Sequence, residues 1–231
     1  GITRYIALRR PPSFRVPEAG DAAMTESLND QFAALHATRV ATWEPAQLQR
    51  NIDQRAGLVA AFDPAAIVRP GDRAPDFTLV DTDGVTLDLA GLIAGGPSVL
   101  IFFRHAACPA CNLALPYYAR TLYPHLGSAR LVAVSPQLPD RLAAISERHA
   151  LPFTVANDPD GRLAAAWNIR FDSDAAAVTG AANGDFPYPA VVIVDEQGIV
   201  RFVDAGPDWL VRTETPRILA ALGALRFADA A

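Results

Sequence analysis

Two cysteines, Cys108 and Cys111, stand three residues apart in a Cys-Pro-Ala-Cys run, and the chain of 231 residues holds no other. On a helix that spacing places two thiols one turn apart on a common face, within reach of a disulfide. Pro109 suits the first helical position, which puts Cys108 at the helix N-terminus. Free backbone N–H groups and the helix dipole favour an anion there, so a thiol at this point ionises more readily than a free one. Cys111, a turn further in, is expected to be the more buried and to act second. Once Cys108 has formed a mixed disulfide or a sulfenic acid, Cys111 attacks that sulfur and closes the 108–111 bond. Arg104 and a protonated His105, just upstream, would help hold the negative charge. A zinc site would need four ligands, and His105 is the one candidate nearby. An inert disulfide across so short a loop would constrain little. Dithiol redox chemistry is the reading these residues favour.

The elements around the pair support that placement. Ser98 to Phe103 is a continuous apolar run, the mark of a strand buried on both faces, and it leads through Arg104-His105-Ala106-Ala107 into a helix running to about residue 123. Upstream, two alternating runs flank Asp83-Gly84, a hairpin signal. Downstream, Leu131–Val134 reads as a second buried strand, 138–149 as a helix and 159–167 as a short helix. Residues 171–187, rich in Gly and Asp, read as an inserted loop. Ala190–Val194 is another buried strand, turned back by Asp195-Glu196-Gln197-Gly198 into 199–203, and a last helix spans about 214–226. This order predicts an α/β fold of the thioredoxin-like plan, a central mixed sheet flanked by helices with an N-terminal β-hairpin. Before it, 25–40 (Leu28, Phe32, Leu35, Val40) and 45–61 (Leu48, Ile52, Leu58, Val59) read as amphipathic helices. The expected organisation is an N-terminal extension over 1–24, a helical arm over 25–66, and the redox domain over 67–231.

A net charge of −5 and a pI near 5.3 speak against a nucleic-acid surface. All 20 basic residues are arginine, which reads as coding bias. No run approaches the roughly 20 apolar residues of a membrane span, and the first residues lack the apolar stretch of a secretory signal. The expectation is a cytoplasmic protein. Met24 before a helix start suggests that 1–23 is an upstream extension. No nucleotide-binding glycine pattern or metal-loop pattern is present, so no cofactor is expected.

The stretches GDRAPDFTLVDTDG (71–84), VLIFFRHAACPACNLAL (99–115), VAVSPQLPD (132–140), LPFTVANDPDGRLAAAWNI (151–169), NGD (183–185) and YPAVVIVDEQGIVRFVDAGPDW (188–209) resemble, in order, the peroxiredoxin-like branch of the AhpC/TSA family in the thioredoxin superfamily. The resemblance implies thiol-based reduction of hydroperoxides or disulfides, an external thiol reductant of thioredoxin or glutathione type, and allows a homodimer. It implies a cis-proline facing the cysteines at Pro189, with Pro187 as the fallback, and Tyr188 lining the substrate groove. The chain also departs from the family. Where peroxiredoxins carry a threonine or serine three before the first cysteine and a proline seven before it, His105 and Ile101 stand here. Pro189 takes the place of their active-site arginine. Arg104 and His105 are the candidate substitutes. Two other functions fit the same pair: a disulfide reductase without useful peroxidase activity, and a redox-sensing binding module. Arg212 is a further candidate to reach the cysteines, while Trp43, Trp167 and Trp209 read as packing residues.

Overall fold

A computed structural model describes residues 26–172 and 185–228. Two helices, α1 (Leu28–Thr42) and α2 (Pro45–Ala61), form the N-terminal arm. After the arm, strand β1 (Thr78–Asp81) pairs antiparallel with β2 (Thr86–Asp88) across the Asp83-Gly84 turn. Gly84 takes φ +80°, which glycine adopts without a Cβ penalty, and the Asp81 carboxylate accepts from the N–H groups of Asp83 and Val85. A short helix α3 covers Leu89–Ile93. It precedes β3 (Ser98–Phe102), β4 (Arg130–Ser135) and β5 (Thr154–Asn157). Then come β6 (Arg170–Asp172), β7 (Asp185–Pro187), β8 (Ala190–Val194) and β9 (Val200–Ala205). Seven strands form one mixed sheet in the order β2-β1-β5-β4-β3-β8-β9, with β3 parallel to β4 and antiparallel to β8.

The apolar run of β3 is central because it feeds two cores. Val99 and Ile101 face one, and Leu100 and Phe102 the other, as the two-residue period of a strand requires. The first core is covered by α4 (Pro109–Thr121), α5 (Pro139–Arg148) and the C-terminal helix Thr215–Ala228. The second is covered by α3, α6 (Arg162–Ala166) and Trp167. The expected mixed α/β architecture is present. Among the described residues no helix is long and apolar enough to cross a membrane.

The N-terminal arm joins the first core. Leu28 and Phe32 are buried and Leu35 packs beside them. Glu214 fixes the entry to α1: its carboxylate accepts from the Ser27 hydroxyl and from the N–H groups of Leu28 and Asn29, where a helix leaves donors free. An ion pair at 2.7 Å, Arg55 with Asp208, ties down α2. The expected apolar face is corrected in one respect. Val40 is 55 % exposed, and its neighbour Arg39 is the residue turned inward, at 4 %. The guanidinium of Arg39 lies 4.8 Å from the Trp43 ring centre and 5.3 Å from that of Trp209, so aromatic faces replace water as its surroundings. On α2, Leu58 packs against the core while Val59 stays exposed.

The inserted-loop reading of 171–187 is corrected at both ends. β6 and β7 pair antiparallel with Phe171 opposite Phe186, and these rings with Tyr188 form a small core against Leu58 and Phe62 of the arm. Residues 173–184, which include Asn183 and Gly184 of the NGD match, lie outside the described residues.

Candidate active site

Strand β3 ends against a loop whose backbone is held by side chains from β4, the segment after it and α4. Ser135 donates to the Arg104 carbonyl at 3.0 Å, and the side-chain oxygen of Gln137 accepts from Ala106 N–H at 2.6 Å. Asn112 Nδ2 donates to the carbonyls of Ala106 at 2.7 Å and Cys108 at 2.9 Å, closing the turn onto α4. Cys108 is the N-cap of α4 in extended geometry (φ −72°, ψ 120°), and Pro109 occupies the first turn as expected. The two sulfurs are free thiols.

Burial does not separate the pair as expected. Cys108 is 1 % exposed and Cys111 0 %, because both belong to the first core with Phe32 and Trp209 packed into the same cluster. Their electrostatic surroundings differ sharply. The Cys111 S–H donates to the Cys108 sulfur and, with Arg104, His105 and Arg212 nearby, outweighs the cost of burial, holding the Cys108 thiol well below its ordinary value. Burial, the same hydrogen bond given away, and the negative charge on Cys108 push Cys111 well above it.

One arginine lies against this sulfur, and two more interact with its charge. Arg104 Nη1 lies 3.9 Å from Cys108 Sγ, and its guanidinium sits 4.8 Å from the Trp209 ring centre and 6.0 Å from that of Phe171. Arg212, 9 % exposed, is held by the carbonyls of Trp209 and Val211 and lies 5.4 Å from the Phe32 ring centre. Its segment is tethered to α4 through Tyr118, whose hydroxyl donates to the Thr213 carbonyl at 2.7 Å. Arg39 senses the same charge: burial pushes it down and the Cys108 thiolate pushes it up. Asn112, Gln137, Arg39 and Trp209 were not singled out as site residues from the sequence.

Three expectations change. His105 is held below its ordinary value, by burial first and by Arg104 as well, against the pull of the Cys108 thiolate. Burial thus works against the positive charge expected of His105, which still counts, after Cys111 and Arg104, among the groups that hold Cys108 down. Pro189 is buried but its peptide bond is trans, like every bond among the described residues, and its carbonyl accepts from Gly206 N–H at 2.7 Å. Pro187, the fallback, is also trans and ends β7. Tyr188 does not line an open groove. It is buried between Phe62 and Phe171, at ring-centre distances of 5.0 and 5.1 Å. Among the described residues no cluster of three or more His, Cys, Asp or Glu side chains could hold a metal ion.

Comparison with known proteins places this arrangement. The pattern of the AhpC/TSA family matches residues 70–203. The Mycobacterium tuberculosis protein Rv2521, provisionally named a peroxiredoxin, is 32 % identical over 99 residues, which is 42 % of this chain and 62 % of that protein. The chloroplastic peroxiredoxin Q of Populus jackii is 27 % identical over 140 residues, 60 % of this chain and 61 % of that one. The chain thus spans a little over three fifths of the length of these curated relatives. Among solved structures, peroxidoxin BcpB of Mycobacterium tuberculosis shares the thioredoxin-like fold, with a TM-score of 0.57, 23 % identity, and coverage of 69 % of this chain and 99 % of that one.

Proposed function

Because this chain belongs to the AhpC/TSA family, we propose that it is a thiol-dependent peroxidase in which Cys108 is the attacking sulfur and Cys111 the resolving one. The observation that carries this reading is the pairing at the head of α4: a thiol at the helix N-cap, 3.9 Å from a guanidinium, with a second thiol one turn on that helps hold it well below its ordinary value. The thiolate attacks the terminal oxygen of a hydroperoxide. An S–O bond forms, the O–O bond breaks, and the leaving oxygen takes a proton to depart as an alcohol or water. The sulfur of Cys111 then attacks the sulfenic sulfur. An S–S bond forms, and the hydroxide released combines with the Cys111 proton as a second water. The dithiol supplies the two electrons, and an external thiol reductant of thioredoxin or glutathione type returns them. Arg104, whose Nη1 lies 3.9 Å from the Cys108 sulfur, takes the charge that builds on the leaving oxygen in this reading. A reducing compartment such as the cytoplasm suits a pair that must be regenerated as thiols.

The test is oxidation of the reduced protein by hydrogen peroxide, by an organic hydroperoxide and by a protein disulfide, followed in separate rapid-mixing runs. Peroxide is expected to be the faster oxidant. Cys108→Ser should abolish the reaction, and Cys111→Ser should leave a sulfenic acid that a dimedone label captures. A protein disulfide that outpaces every hydroperoxide would replace this reading with that of a disulfide reductase.

A further inference from the structure

We propose that Arg39, Arg104 and Arg212 form an anion-recognition site over the Cys108 sulfur, and that the substrates reduced there carry a negative charge of their own close to the reacting bond, as a hydroperoxide with a neighbouring carboxylate does. The choice of oxidant rests on the peroxidase reading; the recognition site rests on separate observations.

All three arginines are more than nine-tenths buried. Among the described residues each keeps a buried nitrogen with no hydrogen-bond partner: Nη1 of Arg39, Nε of Arg104 and Nη2 of Arg212. Among the described residues none of them forms an ion pair with a carboxylate, although five other arginines do. The acids in the vicinity are already engaged. Asp208 accepts from Arg55 and from Leu210 N–H, Asp204 from Arg217 and the Thr213 hydroxyl, and Glu214 from the start of α1. Trp209 carries Arg39 and Arg104 on its ring at 5.3 and 4.8 Å, so the cations are supported by aromatic surfaces while Nη1 of Arg39 and Nε of Arg104 are left unused.

Three buried cations therefore stand near one thiolate, and the nearby Asp208 carboxylate, which also feels Arg212, is already paired with Arg55. Gathering like charges in such a place is costly unless an anion offsets them. Planar guanidinium forks match the two oxygens of a carboxylate or a similar anion, and such charge-assisted bonds are the strong ones. Hydrogen peroxide brings no charge, and one guanidinium is enough for its leaving oxygen. The remaining donors have work only with a substrate that is itself charged. Arg39 comes from the N-terminal arm, so this selection depends on a helix outside the α/β domain.

The experiment compares alkylation of the reduced full-length chain by iodoacetate and by iodoacetamide, which have nearly the same size and differ in charge. Mass analysis assigns the label to Cys108. Because one thiolate attacks both reagents, the ratio of the two rates cancels thiolate fraction and access. The ratio is expected to exceed that of 2-mercaptoethanol, and Arg39→Gln should lower it on the order of tenfold, the effect of removing one charge whose field reaches the Cys108 sulfur. Arg39→Lys, which keeps the charge, should retain most of it. A wild-type ratio equal to that of the small thiol, or a ratio unmoved by Arg39→Gln in a folded variant, would overturn the proposal. In a second arm, a carboxylate-bearing hydroperoxide should be reduced faster than tert-butyl hydroperoxide, and equal rates would overturn the charged-substrate assignment. A charge-biased alkylation with neither hydroperoxide reduced would instead remove the peroxidase reading and leave the anion site in place.

Discussion

Replacing Cys111 by alanine removes the largest single influence that keeps Cys108 ionised, the S–H donated to its sulfur. A hydrogen bond to a charged group contributes roughly 1.5–3 kcal/mol. At about 1.4 kcal/mol per pKa unit, its loss should raise the Cys108 midpoint by about one to two units. Arg104, at 3.9 Å, and the amide groups at the head of α4 remain, so the thiol should not climb all the way to that of a free cysteine. The assay is ultraviolet thiolate absorbance against pH for wild type, Cys111→Ala and Cys111→Ser. In the wild type one acidic step belongs to Cys108, since Cys111 is pushed well above its ordinary value and titrates apart. Serine keeps a donor and should stay close to the wild type, whereas alanine should move upward. A shift of equal size in both variants, or none in the alanine variant, would refute the reasoning that the neighbouring hydrogen bond sets the acidity.

Arg104→Met removes a buried cation from beside the sulfur and substitutes apolar volume; the peroxide rate near neutral pH should fall roughly tenfold while the thermal midpoint holds or rises, because an uncompensated buried charge is lost. Phe32→Ala empties a fully buried site between α1 and Arg212 and should cost about 3–5 kcal/mol in denaturant unfolding. The Glu214 carboxyl is pushed up by burial but held below its ordinary value by the N–H groups of Asn29 and Leu28 and the hydroxyls of Tyr117 and Ser27. A depressed carboxyl stabilises the fold above its unfolded value and loses that contribution as pH falls through its folded value. Wild type should therefore lose stability more steeply than Glu214→Gln below about pH 4.3, as read from unfolding midpoints across that range.

What the sequence disclosed was local. The five residues of β3 announce a strand buried on both faces, Asp83-Gly84 announces the hairpin of β1 and β2, and Pro109 announces the start of α4, so the Cys108 position followed from neighbours in the chain. What it concealed depends on residues far apart. Arg39 has the spacing of a solvent-facing charge and is turned inward only because Trp43 and Trp209 offer it ring faces. The short strands β6 and β7 are obscured by the Gly- and Asp-rich composition between them, and they form because Phe171 and Phe186 meet Tyr188 and the arm. Tyr188 is drawn into that same cluster and away from a groove. His105 illustrates a different gap: its type suggests a cation, and its burial, which the sequence does not disclose, works against that charge.

In the proposed cycle, the distribution of charge around the two sulfurs also sets the order of events. Cys108, at the N-cap, faces free amide groups and guanidiniums; Cys111 lies inside the helix in apolar surroundings, so the proton they share rests on Cys111. The negative charge on Cys108 is itself one of the causes that keep Cys111 protonated. Attack on an oxidant converts that thiolate to a neutral sulfenic acid. The like-charge repulsion then vanishes, while Arg104 and Arg212, which favour the ionised form of either sulfur, stay where they are. Oxidation of the first sulfur thus lowers the cost of ionising the second at the moment its thiolate is needed. The arm takes part in this through Arg39, which feels the Cys108 charge from α1, and through Phe32, which packs against Arg212. The positive charge around Cys108 is gathered from the loop before α4, the segment after β9 and the N-terminal arm.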